Sequence, residues 1–410
     1  MAIADRRVGV TLALCFMTAL MEGMDLQSMG VAAPLMAPEF GLDRQQLGLI
    51  LSASPFGLLL GAILGGRLAD GFGRKAMLVA TMAIFGVFTL VTAVVRGVEV
   101  LTVVRFLTGV GLGGALPNLL ALASEAVGGD GKVTKVVISF AGMPIGGALI
   151  SLISAVAATQ HQWRIIFYVG GIAPLALAAV MMAALPESRG FQEAKAAAAA
   201  GTALKIDSLK ALFGDGRTFA TLCLWVCCLC LNLVSYLLLN WLPSLNISKG
   251  FTPAQASSLQ TAFNFTSCFG AIALGWLMDV RPGKLVLGGC FAGLALSFVA
   301  LAATGSDVLL TGLILTFTGA FLYGGIYIVY GLIPGFYPTL VRGVGAGSCF
   351  AAGRVGSIAG PLLAAAILGA GRGANDVLQA LLPITVLAGA SIIALLWRPT
   401  SNAAAAASST

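Results

Sequence analysis

Charge is what this chain of 410 residues has least of: Asp, Glu, Lys and Arg make up 10% of it, against about 25% in a soluble domain. A water-soluble fold is excluded. Histidine occurs once, at His161, between two apolar runs, where a surface imidazole is the natural reading. With no intramembrane histidine, no cluster of metal-ligating side chains and no glycine-rich nucleotide loop, nothing points to an enzyme or to a bound cofactor. The eight cysteines lie in apolar segments, and Cys227-x-x-Cys230 beside Cys228 has no histidine near it, so they read as reduced packing residues. Short alternating segments are missing too, which excludes a transmembrane barrel.

What the chain does have is apolar length. It is 59% hydrophobic, with mean hydropathy +0.99. At ~20 residues per span and short loops, there is room for about twelve helices. The first six spans are predicted at 8–31, 47–68, 76–95, 100–123, 133–158 and 165–185; Pro34, Pro38, Gly41 and Asp43 mark the loop after the first. The second six are predicted at 219–242, 256–278, 285–303, 308–336, 343–368 and 377–397. The chain therefore divides into a six-helix bundle over 1–185, a polar linker over 186–218, a second bundle over 219–398 and a disordered Ala/Ser-rich tail over 399–410. The first run is longer than a signal h-region, so no cleavable leader is expected.

The net charge of +7 invites a nucleic-acid reading, but the basic residues are scattered over short loops beside apolar runs. They report orientation instead. Of the 23 Lys and Arg residues, only Arg44, Arg96, Arg164, Lys249 and Arg372 fall on one side, while Arg105 and Arg354 lie inside spans. The rest collect on the other side, with both termini and the linker, which places these in the cytoplasm.

The first span carries Glu22 and Asp25. An acid at the centre of a lipid-facing helix costs ~2.5–3.5 kcal/mol, so both should face a polar cavity or a cation. At spacing i, i+3 they share a face, and Gly23 leaves room beside them for a backbone or a ligand. Two like charges this close cannot both ionise freely, which suits a proton relay; a structural role bonded to another helix is the plainer reading of Glu22. Arg105, about six residues into its helix, is ~9 Å deep and can share a depth with Asp25, either as a coupling partner or as a static ion pair.

Gly66, Asp70, Arg74 and Lys75 end the second span, and Gly275, Asp279, Arg281 and Lys284 end the eighth. A glycine, an acid four residues on and then basic residues thus recur once per half, the mark of a duplicated six-helix unit whose edge contacts make and break as the halves rock. These residues resemble the loop motif of the major facilitator superfamily. Arg105-Phe106-Leu107-Thr108-Gly109, Pro186-Glu187-Ser188 and the series Tyr337, Pro338, Arg342, Gly345, Arg354, Gly356, Gly360 and Pro361 also resemble it, while Gly71 stands where the loop motif usually has a basic residue. Within that superfamily, Glu22-Gly23-Met24-Asp25 is similar to the acid-Gly-x-Asp pattern of the aromatic acid:proton symporters.

The resemblance implies an all-α membrane protein of twelve transmembrane helices in two pseudo-symmetric bundles. It also implies proton-coupled uptake of an aromatic carboxylate by alternating access across the cytoplasmic membrane, in a protein that works as a monomer. Proton coupling is assigned to Asp25, Glu22 and Arg105, and gating to Gly66, Asp70, Arg74 and Asp279. Arg354 sits near mid-bilayer with no acid in a span of its own half, so its planar fork suits a substrate carboxylate. Asn232, Tyr236, Gln260, Asn264, Tyr323 and Tyr327 are the other substrate candidates, each alternatively a helix-to-helix bond. Export by proton antiport is the competing function; a non-transporting sensor would want a large soluble domain.

Overall fold

Apolar helices in a bilayer bury every backbone polar group within themselves, and here that condition gives an all-helical chain. The computed structural model describes residues 2–115, 118, 142–159, 162–185, 187, 208–214, 216–338 and 341–397, with side chains at these positions except 2–7, 66, 67, 70, 158, 159 and 208. The tail over 399–410, His161 and most of the 186–218 linker lie outside the described residues.

The first bundle comprises α1 (Ala2–Phe40), α2 (Arg44–Phe72), α3 (Arg74–Val94), α4 (Val98–Gly113), α5 (Gly142–Thr159) and α6 (Arg164–Ala184). The second comprises α7 (Thr218–Ser248), α8 (Pro253–Val280), α9 (Gly283–Ala303), α10 (Val308–Leu332), α11 (Arg342–Gly369) and α12 (Ala374–Trp397). A short helix, Ser208–Phe213, precedes α7. Among the described residues, ten helices are long and apolar enough to cross a membrane. The predicted fourth and fifth spans run partly beyond the described residues.

One sequence expectation fails at the end of α1. Pro34 and Pro38 lie inside the helix and do not open the loop. Each removes one i→i−4 bond, which a membrane helix packed among neighbouring helices tolerates. The stop comes from Gly41, at φ 61°, with Leu42 N–H donating to the Ala37 carbonyl at 2.9 Å, a Schellman-type cap. Immediately afterwards Asp43 starts α2 through a capping box: Gln46 N–H donates to its carboxylate at 2.7 Å, and Asp43 N–H donates back to the Gln46 side chain at 3.1 Å. Thr252 and Gln255 repeat that device at the start of α8.

The two bundles pack alike. α1 lies against α5 as α7 lies against α11, α2 against α4 as α8 against α10, and α3 against α6 as α9 against α12. The α1–α5 and α7–α11 seams use the same means. A Cβ at Gly23 would collide with the Met143 carbonyl, and one at Gly356 with the Leu229 carbonyl, so both seams need glycine for backbones to touch. Across the bundles, α2 meets α11, α5 meets α8 and α1 meets α7.

The loops after α1, α3, α7, α9 and α11 share one end of the molecule, termed here the distal face; the linker lies at the other. Among the described residues, several contacts between bundles lie toward the distal face. Ser52 donates to the Ile358 carbonyl at 3.1 Å, the Ser154 and Ser257 hydroxyls are 3.2 Å apart, and Gly48 abuts Ala365.

Candidate functional site

Midway through α1, Glu22 and Asp25 project from one face into the seam between bundles, beside α4, α7 and α11. Asp25 meets Arg105 of α4 in a two-point ion pair, Nη1 to Oδ1 at 2.9 Å and Nη2 to Oδ2 at 3.2 Å, with both side chains at most 1% exposed. Such a fork fixes both planes and supplies two charge-assisted bonds in a low-dielectric setting. The Phe167 ring of α6 stands 5.9 Å from the guanidinium carbon. Arg105 Nε keeps no hydrogen-bond partner among the described residues.

Glu22 is differently placed. It is fully buried and neither carboxylate oxygen accepts a hydrogen bond among the described residues. A bare carboxylate there is costly unless a proton or a cation neutralises it. The cation whose field reaches it is Arg354, from α11 of the opposite bundle. Arg354 itself donates to the Tyr236 hydroxyl at 2.8 Å. Tyr236 and Tyr327 lie within electrostatic reach of Glu22 as well. The sequence reading left Arg354 without an acid in its own half; Glu22 of the other half acts on it through its charge, without a direct bond among the described residues.

The remaining polar candidates fall into two groups. Asn232 donates to the Tyr330 hydroxyl at 2.9 Å and to the Cys228 carbonyl at 2.8 Å, while Ser235 donates to the Tyr323 hydroxyl at 3.2 Å. The Tyr323 and Tyr327 rings lie 6.2 Å apart between centroids, tilted by 41°. These tie α7 to α10 and leave an aromatic wall on the seam. Gln260 and Asn264 of α8 instead reach Gln27 of α1. Gln27 and Asn264 exchange amide bonds at 2.6 Å each, Gln260 donates to Gln27 at 3.1 Å, and Ser151 of α5 joins at 3.4 Å. Sequence reasoning passed over Gln27 as a site residue. Its signal was there, an amide two residues after Asp25 in an otherwise apolar stretch.

At the linker face, Arg74 opens α3 and is half-buried, and Asp279 is exposed near the end of α8. Gly66 and Asp70 lie in the last turns of α2, with the Asp70 side chain outside the described residues. Glu187, on the linker, accepts the Lys75 backbone N–H at 3.1 Å, and its carboxylate occupies the space beside Gly73. That caps the start of α3 and ties the linker to the loop motif.

Two six-helix bundles of like topology, meeting around buried acids of the first and an arginine from each, define a transporter of the alternating-access kind. The model of the Major Facilitator Superfamily matches residues 15–330, and the chain belongs to that superfamily. Its relatives include the 3-(3-hydroxyphenyl)propionate transporter of Escherichia coli K12, 41% identical with 96% of each chain covered. The 4-hydroxybenzoate transporter of Pseudomonas aeruginosa is 33% identical, over 93% of this chain and 90% of its own. Among solved structures the fold is similar to a D-xylose–proton symporter, with a TM-score of 0.77 at 15% identity and 96% and 98% of the two chains covered.

Proposed function

We propose that this protein takes up an aromatic carboxylate, of the hydroxyphenylpropionate or hydroxybenzoate kind, together with protons across the cytoplasmic membrane. The termini and the linker are cytoplasmic, following the bias of basic residues. The working unit is a single chain, and the coupling ion is the proton, with no other cofactor. The names of the relatives support the substrate class. The observation that carries the mechanism is the pairing pattern on α1: Asp25 is held by Arg105, and Glu22 is bare but within the field of Arg354.

Arg354 receives the substrate carboxylate, and its fork suits two carboxylate oxygens better than one tyrosine hydroxyl. An anion arriving there competes with Glu22 for the same cation. Glu22 and Asp25 then hold more negative charge than the arginines offset, and a proton binding to this pair restores neutrality. Entry of the anion and entry of the proton are thereby linked. The ring lies against Tyr236, Tyr323 and Tyr327, with Asn232 supporting that wall through Tyr330. Gln260 and Asn264 act where α8 meets Gln27, closing the distal side, and Asp70, Arg74, Asp279 and Gly66 govern the linker side. Rocking of the bundles about the fixed site exposes it alternately to the two faces.

The test is uptake by proteoliposomes offered hydroxylated benzoates and phenylpropanoates, with and without an inward proton gradient. Gradient-driven accumulation of the carboxylates is the expected result. Substrate extrusion driven by the same gradient would overturn the proposal in favour of antiport.

A further inference from the structure

Beside the Asp25–Arg105 pair, on its distal side, lies a cavity of about 10 Å³, room for about one water oxygen. Its walls bring together Ser54 and Pro55 of α2, Arg105, Tyr236 and Asn240 of α7, and the apolar residues Leu26, Met29 and Leu51. Two of these residues carry orphaned polar atoms. Among the described residues, Ser54, 5% exposed, has its Oγ unpartnered, and Arg105, 1% exposed, its Nε. A buried helical serine normally donates to the carbonyl four residues back, as Thr108 and Ser151 do here at 2.8 and 2.7 Å. Ser54 does not. A third polar group follows from the chain itself: Pro55 has no N–H to give, so the Leu51 carbonyl is released from the α2 ladder at the same spot.

Besides Asn240, whose amide nitrogen already donates to the Tyr236 carbonyl at 2.8 Å, the cavity offers one donor that cannot accept, Arg105 Nε–H, one hydroxyl, and one carbonyl that can only accept. A second anion does not suit it, because the Arg105 charge is already met by Asp25 at 2.9 Å. A neutral hydroxyl does. Its oxygen accepts from Nε–H and its proton goes to Ser54 Oγ or the Leu51 carbonyl. Tyr236 links this pocket to the proposed carboxylate site, since its hydroxyl takes the Arg354 bond and its residue lines the cavity.

We propose that Ser54, Arg105 Nε and the Leu51 carbonyl form a subsite for the phenolic hydroxyl of the transported acid, so that this protein selects hydroxylated aromatic carboxylates over their deoxy parents. The inference rests on the uptake reading above. It adds a specificity residue, Ser54, on a helix to which that reading gives only a gating role. In the absence of ligand a water meets the same three groups. The substrate hydroxyl replaces it, and a deoxy ring leaves the buried donor and acceptors unserved, which is the arrangement that discriminates most strongly against a missing hydroxyl.

The experiment measures binding and initial uptake of 3-(3-hydroxyphenyl)propionate against 3-phenylpropionate, and of 4-hydroxybenzoate against benzoate, in wild type, Ser54→Ala and Ser54→Cys. Wild type is expected to favour the hydroxylated member of at least one pair. Ser54→Ala should lower that preference about ten-fold, through weaker handling of the hydroxylated acid and not of the deoxy one. Ser54→Cys, similar in size but a weak hydrogen-bonding partner, should fall on the same side and serves if the alanine variant does not fold. A wild type indifferent to the hydroxyl in both pairs, or a preference that survives both substitutions, overturns the subsite while leaving uptake intact. Transport of none of the four acids would instead sink the uptake reading on which it rests.

Discussion

Replacing Gln27 with leucine should loosen the closed distal side of the molecule by a calculable amount. Three side-chain bonds between bundles are lost, the two at 2.6 Å with Asn264 and the one at 3.1 Å from Gln260. Interhelical hydrogen bonds in membrane proteins average about 0.6 kcal/mol each, so the direct loss is about 2 kcal/mol. Gln260 is also left buried without a partner in the closed arrangement and Asn264 with only a 3.5 Å bond to Ser151, and opening the seam relieves them. At 1.4 kcal/mol per factor of ten, the ratio of closed to open distal states should fall roughly thirty-fold or more. Spin labels on Arg44 and Arg372, both exposed on the distal face and on opposite bundles, report this by pulsed distance measurement. Gln27→Leu should populate a longer distance, Asn264→Leu should do the same, and the double variant should add little to either, as expected of residues sharing one contact. A folded Gln27→Leu protein with the wild-type distance distribution would refute the reasoning.

Further outcomes follow from single contacts. Arg354→Lys keeps the charge but loses the fork and its bond to Tyr236, so calorimetry in detergent should show carboxylate affinity lower by about ten-fold, with ring-hydroxyl preference retained; normal affinity with poor ring discrimination would contradict the assignment. Gly23→Ala puts a methyl onto the Met143 carbonyl and should cost about 2 kcal/mol by forcing α1 from α5, seen as a lowered melting temperature in detergent. An unchanged melting temperature would count against the close seam. Asp70→Asn should slow transport while leaving equilibrium substrate affinity unchanged, and lost affinity in a folded variant would move Asp70 out of the gate.

Much of the architecture is written locally and can therefore be read from the sequence. Long apolar runs fix the helices, and counting residues from a helix end puts Asp25 and Arg105 at one depth, because a helix rises by a constant step. What escaped was set by contacts between distant segments. Nothing local says that Glu22 and Arg354 share a field, since their helices belong to different bundles. The Gln27 amide looked incidental until α8 placed Asn264 and Gln260 opposite it. Pro34 and Pro38 looked like a loop because proline breaks helices in general, whereas the stop at Gly41 depends on its backbone conformation and the bond from Leu42 to Ala37. Ser54 gave no sign at all; its significance comes from a hydroxyl left without the bond that serines in helices usually make.

The claim at the centre of this account is that the acids of α1 carry the proton that moves with the substrate. Its most direct test is the pH change inside proteoliposomes when an aromatic carboxylate is added outside, followed with a trapped indicator, for wild type, Asp25→Asn and Glu22→Gln. Asparagine and glutamine keep nearly the size of the acids and remove their charge and titration; thermal melting in detergent verifies that each variant is folded, since unpairing Arg105 costs about 3–5 kcal/mol. Wild type should acidify the lumen as substrate enters, and Asp25→Asn should lose both this signal and accumulation against a gradient while substrate exchange persists. Glu22→Gln should diminish the signal. Undiminished acidification by a folded Asp25→Asn protein would remove Asp25 from the proton-carrying pair and leave Glu22, and undiminished acidification by both variants would contradict the central claim.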